Sequence, residues 1–150
     1  MSSKEAILHE PNKPTYAIRI FSSPTSDNGR DPLRNSDFYR KIVEYVFEDT
    51  DPFIFQAGQT IITSEIARSI VSDFAEHKNS IEALAVHCYF GKNRSPAVAI
   101  SLNEIFGLGA NSKELKQKFN EYNRYVYDTL MEAGLLYLRD YLARLPNHTS

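Results

Sequence analysis

The sequence predicts an α/β fold: one domain spanning residues 1–150, with a central, mostly parallel sheet of four or five strands flanked by helices. The basis is threefold. Short apolar runs rich in β-branched and aromatic residues come first, and segments of helical periodicity then alternate with another such run. A chain of 150 residues is also the size of one hydrophobic core, able to bury roughly two-thirds of its unfolded surface without staples.

Residues 6–8, 16–21 and 42–47 are apolar, short and bounded by polar or proline-bearing stretches, so each reads as a strand. Residues 22–37 between them are dense in Ser, Pro, Asn, Asp and Gly and read as one long polar loop. In residues 64–77, Ile66, Ala67, Ile70, Val71 and Phe74 recur at helical spacing with Ser72, Asp73 and Glu76 opposite, which predicts an amphipathic helix on the sheet. Residues 83–86 form a buried strand. Residues 95–106 are apolar nearly all round and form a buried helix, with Pro96 in a first turn that needs no N–H from it. Asn111 and Glu114 have the spacing of a capping box and open a short helix to about Asn120 that buries Leu115 and Phe119. A last helix covers residues 124–145, with Gly134 a candidate break. Both termini are expected to be mobile.

Composition bounds function. Seventeen basic against nineteen acidic side chains leave a net charge of −2, so no global field holds a nucleic-acid backbone or an anionic membrane, and no nucleic-acid partner is expected. There is no apolar run of membrane-spanning length and no apolar core of a signal peptide near Met1, which implies a cytoplasmic address. A lone cysteine, Cys88, excludes an internal disulfide. It also excludes a cysteine-rich metal site, and His9, His77 and His148 show no ligand spacing with His87, so no metal or cofactor is expected. Asn147-His148-Thr149 has the form of a glycosylation sequon, which a cytoplasmic chain leaves unused.

The chemistry concentrates in Val86-His87-Cys88-Tyr89-Phe90-Gly91-Lys92-Asn93-Arg94-Ser95-Pro96, the turn between the buried strand and the buried helix. Backbone N–H groups at such a turn lack helical partners, and the helix dipole adds partial positive charge, so the turn is a cradle for a phosphate. Gly91 permits the bend. Arg94 can close over two phosphate oxygens with its planar fork. A cysteine at the start of this cradle meets the same donors, so its thiolate is favoured and becomes a nucleophile aligned with a bound phosphorus.

The pattern His87-Cys88-x-x-Gly91-x-x-Arg94-Ser95 in a strand-turn-helix setting resembles the cysteine-dependent protein tyrosine phosphatase superfamily, in particular its small dual-specificity branch. A chance match at all four flanking positions has odds of about 10⁻⁵ on composition, so the motif outweighs an inert buried cysteine. The resemblance implies Cys88 as nucleophile, Arg94 as ligand of substrate and transition state, Ser95 as the donor that helps the sulfur leave, and His87 as a brace behind the loop. It also implies a phosphorylated protein or peptide as substrate, and an aspartate general acid on a loop upstream of the cysteine. Asp49, just after the third apolar run and followed by Thr50, fits that place; Asp51 before Pro52 is its rival. The Trp-Pro-Asp loop of the large tyrosine-specific enzymes is absent, since the chain has no Trp.

Tyr89, Phe90, Lys92 and Asn93 fill the variable positions of the cradle, where specificity resides; with Gly91 and Arg94 they are the expected substrate-binding residues. The positive charge of Lys92 leaves open a phosphoinositide or RNA 5′-phosphatase of the same superfamily, and a non-catalytic phosphate-binding module is a further alternative. A rhodanese-like sulfurtransferase is disfavoured by Arg94-Ser95. Asn123-Arg124 resembles an Asn-containing segment of small bacterial phosphatase-like proteins, which implies a brace on the phosphate loop; a helix cap is the other role open to Asn123.

Overall fold

The computed structural model describes residues 1–22 and 30–146. In order these form α1 (Ser3–Leu8), β1 (Thr15–Phe21), β2 (Tyr39–Val46), α2 (Ser64–His77), a 3₁₀ turn (Lys78–Ser80), β3 (Ala83–His87), α3 (Arg94–Phe106), α4 (Ser112–Lys118) and α5 (Arg124–Arg144). The described sheet has three strands in the order β2-β1-β3, and both pairings are parallel. The expected four or five strands are therefore a correction. Residues 6–8 are helical because Ser2 Oγ accepts from the Glu5 N–H at 3.1 Å while Glu5 Oε1 accepts from the Ser2 N–H at 3.0 Å. That capping box precedes the apolar residues and commits them to a helix.

β1 is the central strand and all seven of its residues are buried. Tyr16, Ile18 and Ile20 share one core cluster with Val86 of β3, Phe74 of α2, Val98 of α3 and Leu130 of α5. Burying each such side chain contributes about 1.5–3 kcal/mol, so this face anchors the domain. The opposite face carries a polar row. In register across the sheet stand Glu44 of β2, Arg19 of β1 and His87 of β3.

β2 lies at the edge and is largely exposed, with Arg40, Lys41 and Glu44 along it; charged side chains suit an edge that must not pair with another chain. α3 is buried from Arg94 through Val98 and again at Ile100 to Asn103, as its all-round apolar sequence predicts. α5 runs unbroken through Gly134. A Cβ there would approach Ile105 Cδ1 to 2.5 Å, so the glycine serves the contact of α5 with α3 and does not break the helix. α4 spans a shorter stretch than residues 111–120, with Asn111 as its cap and Leu115 and Phe119 only half-buried. Of the 22–37 loop, residues 23–29 lie outside the described residues, as does the 147–149 sequon. Among the described residues no helix is long and apolar enough to cross a membrane.

Candidate active site

β3 ends at His87 and α3 begins at Arg94, so the turn 88–93 stands at the carboxyl end of the sheet, against the amino end of a buried helix. Asn93, the residue before α3, makes no side-chain cap bond, which leaves the first-turn donors to other acceptors. Cys88 Sγ takes that place. It lies 3.4 Å from the Ser95 N–H nitrogen, 3.3 Å from the Gly91 N–H nitrogen and 3.2 Å from Ser95 Oγ. Cys88 is only 2% exposed. Burial pushes its thiol up, but the hydroxyl and N–H of Ser95, the charge of Arg94 and the Gly91 N–H together hold it below the ordinary thiol range.

Ser95 Oγ also lies 3.3 Å from the Met1 carbonyl oxygen. One hydroxyl proton serves one acceptor at a time. While Cys88 is a thiol, its S–H can donate to Ser95 Oγ and the hydroxyl can donate to Met1. Once Cys88 is a thiolate, the Ser95 hydroxyl turns to the sulfur, and Met1 keeps the Cys88 N–H at 3.3 Å. Ser2 forms a parallel bridge with Cys88, and the Ser3 N–H donates to the Tyr89 carbonyl at 3.2 Å. The amino-terminal segment, expected as a strand and a mobile end, is thus packed along the candidate loop. Gly91 makes that possible twice over. Its φ is +73°, and a Cβ would stand 2.5 Å from Ser2 N and 2.6 Å from Met1 C.

Behind the loop, Arg19 Nε donates to His87 Nε2 at 2.9 Å, which leaves the ring proton on Nδ1, 3.5 Å from Ser3 Oγ. Ser3 Oγ in turn donates to the Cys88 carbonyl at 3.3 Å. Burial, followed by the Arg19 charge, pushes the His87 imidazole down to about 4, so it is neutral near pH 7. The neutral ring is thus linked through the Ser3 hydroxyl to the Cys88 carbonyl. Arg19 is fixed as well by the Asp31 carbonyl at 2.7 Å and by Glu44 at 3.9 Å.

Arg94 is buried, and among the described residues both of its hydrogen bonds leave from Nη1, to Ser22 Oγ and to the Phe47 carbonyl, each at 2.9 Å. These bonds tie the Arg94 guanidinium to the segments just after β1 and β2. Its Nε–Nη2 edge is the fork that suits two oxygens of one phosphate. Tyr89 and Phe90 are exposed with their rings edge to face at 4.7 Å, and Lys92 is exposed beside them.

Of the two candidate acids, Asp49 is bonded to the start of α5 and Asp51 within its own turn. Asp49 Oδ1 accepts from Asn123 Nδ2 at 2.8 Å. Asp51 Oδ1 accepts from the Phe53 N–H at 2.8 Å, and its carbonyl accepts from the Phe55 N–H at 3.1 Å. Asn123 is the cap of α5, its Oδ1 accepting from the Val126 N–H at 2.9 Å, and its backbone N–H donates to the Asn93 carbonyl at 3.0 Å.

Ser3, Arg19, Ser22 and the Phe47 carbonyl belong to the site and were not among the expected residues. Two of them left a trace in the sequence: Arg19 is a lone charge inside an apolar strand, and Ser2-Ser3-Lys4-Glu5 is a capping-box spelling. Ser22 and a backbone carbonyl left none. No family model, curated protein or solved structure matches this chain.

Proposed function

We propose that the chain is a cysteine-dependent phosphomonoester hydrolase of the protein tyrosine or dual-specificity type, acting through a cysteinyl-phosphate. The observation that carries the proposal is the convergence of Ser95 Oγ, Ser95 N–H and Gly91 N–H on Cys88 Sγ at the amino end of α3. Donors arranged to hold an anion there favour both a thiolate and the phosphate above it.

In this reading the phosphate of a phosphorylated protein or peptide lies over the sulfur with two oxygens on the Arg94 fork. The Cys88 thiolate attacks phosphorus, the bond from phosphorus to the leaving oxygen breaks, and Asp49 gives that oxygen its proton. Water then attacks the cysteinyl-phosphate and yields a proton to Asp49. The sulfur–phosphorus bond breaks, the Ser95 hydroxyl receives the departing thiolate, and inorganic phosphate is released. The steps balance with these residues, and the near-neutral net charge favours a phosphoprotein over a nucleic acid.

Turnover of p-nitrophenyl phosphate and of a phosphotyrosine peptide by the wild type, Cys88→Ser and Asp49→Ala tests the reading. Cys88→Ser is expected to abolish turnover of both. Asp49→Ala is expected to cut kcat by about 10²–10⁴ on the peptide and far less on the nitrophenyl ester, whose leaving group needs little help. Phosphate-ester binding without turnover by the wild type would identify a non-catalytic binding module instead.

A further inference from the structure

We infer that Ser3, the first residue of α1, is a positioning residue of the phosphate cradle: from outside the loop it holds two successive carbonyls and thereby turns the N–H groups of Tyr89 and Phe90 toward the anion. The inference rests on the phosphate-binding half of the hydrolase reading above and adds to it a residue that the loop itself does not contain. Ser3 opens α1 directly after the cap Ser2, so its N–H has no acceptor within the helix. That N–H donates to the Tyr89 carbonyl at 3.2 Å, and the Ser3 hydroxyl donates to the Cys88 carbonyl at 3.3 Å. The direction of the second bond is fixed from behind. His87 Nε2 accepts from Arg19 Nε at 2.9 Å, so Nδ1 carries the ring proton and faces Ser3 Oγ at 3.5 Å as a donor, which leaves the hydroxyl proton to Cys88. Ser3 is only 4% exposed, which shields both bonds from solvent.

The consequence follows from the peptide plane. The described peptide bonds are trans, and in a trans peptide the C=O and the N–H point to opposite sides. The Cys88 carbonyl shares its plane with the Tyr89 N–H, and the Tyr89 carbonyl shares its plane with the Phe90 N–H. With both carbonyls drawn to Ser3, both N–H groups face away from α1. Among the described residues neither of them donates to a protein acceptor. The N–H groups of Gly91 and Ser95, by contrast, are given to Cys88 Sγ at 3.3 and 3.4 Å. The loop thus divides its donors: Gly91 and Ser95 serve the sulfur, and Tyr89 and Phe90 are left for a tetrahedral anion above it. Successive N–H groups turned to one side make an anion-binding concavity, and donors aimed beforehand need no reorganisation when charge develops on the phosphate oxygens.

The test exploits that division. Ser3→Ala removes the hydroxyl and keeps the backbone N–H, and Ser3→Thr restores the hydroxyl. Three quantities are measured in both variants and the wild type: affinity for inorganic tungstate, a tetrahedral dianion of phosphate shape, by titration calorimetry; kcat/KM on p-nitrophenyl phosphate; and the rate of Cys88 alkylation by iodoacetamide across pH, which reads the thiolate. Ser3→Ala is expected to bind tungstate about 3- to 10-fold more weakly, the worth of one hydrogen bond, and to lose at least as much in kcat/KM. Its alkylation profile is expected to overlie that of the wild type, since the donors to the sulfur are untouched. Ser3→Thr is expected to recover affinity and turnover to within about twofold. Wild-type tungstate affinity in Ser3→Ala, an alkylation profile displaced along with the affinity, a Ser3→Thr as impaired as Ser3→Ala, or a Ser3→Ala that has lost the wild-type far-ultraviolet dichroism would each overturn the positioning role and leave the hydrolase intact. A wild type that binds no tungstate and turns over no ester overturns the hydrolase reading and this role with it. A wild type that binds tungstate without turnover makes the chain a binding module, and weaker tungstate binding by Ser3→Ala then still upholds the role of Ser3.

Discussion

His87 shows how a single residue's protonation becomes structural. Arg19 Nε occupies its Nε2 and the pair is buried, so a proton added to the ring would meet a cation with no water to screen it. The folded ring is pushed down to about 4 from the ordinary value of 6.5. At neutral pH both folded and unfolded chains carry a neutral ring and nothing is lost. As pH falls through 6.5 the unfolded chain takes up a proton that the folded one refuses until about 4, so this ring lowers stability across that window. Each tenfold difference in proton affinity is worth about 1.4 kcal/mol, so the loss reaches about 3 kcal/mol below the window. His87→Gln offers an acceptor and a donor without titrating. Urea midpoints near pH 7 and near pH 5 should fall less steeply in His87→Gln than in the wild type; equal slopes would show that other groups govern the acid side.

Among the secondary-structure elements, the meeting of α3 and α5 is set by a glycine. Gly134 lies in the middle of a 21-residue helix, where its backbone freedom costs roughly 0.5–1 kcal/mol relative to alanine. The compensation is closeness, since Ile105 Cγ1 and Cδ1 both lie 2.5 Å from where a Cβ would stand. Gly134→Ala is expected to destabilise by about 1–2 kcal/mol through that overlap. In an Ile105→Ala background the same change should become stabilising by up to about 1 kcal/mol, because only the helix preference remains. Thermal midpoints of the four chains read the reversal, and a Gly134→Ala that stabilises in both backgrounds would mean that Ile105 yields freely. The periodicity of α2, the all-round apolar run of α3 and the caps Asn111 and Asn123 could be read from the local sequence alone. The identity of α1 was legible as well, but only if the polar residues before Ala6 were weighed above the three apolar ones after them.

Across the entire domain, the candidate site is assembled from distant segments: Met1 to Ser3, the segments just after β1 and β2, the loop 88–94 and the start of α5. Gly91 is where the first of these meets the third. Gly91→Ala must adopt a positive φ and displace the backbone of Met1 and Ser2, which no side-chain rotation relieves. It is expected to lower stability by at least about 1–2 kcal/mol and to reduce turnover together with it. Urea unfolding and p-nitrophenyl phosphate assays of the one variant check both; full turnover in a destabilised chain would detach the amino-terminal segment from the site.

Order along the chain suffices for the α/β class, for the three parallel-sheet strands at their approximate positions, and for the turn of Cys88, Gly91, Arg94 and Ser95. Each depends on interactions within a few residues: periodicity, a cap, or donors that a helix start leaves over. Packing in three dimensions was needed to bring Arg94 to Ser22 and Phe47, to stand Arg19 and Glu44 in register with His87, and to take Asn123 to Asp49 rather than Asp51. Those contacts join residues far apart in the chain, and no local spacing encodes them; they exist because burying one apolar face of β1 fixes the register of the sheet and the angle of α5, and the polar partners are carried into place by that packing.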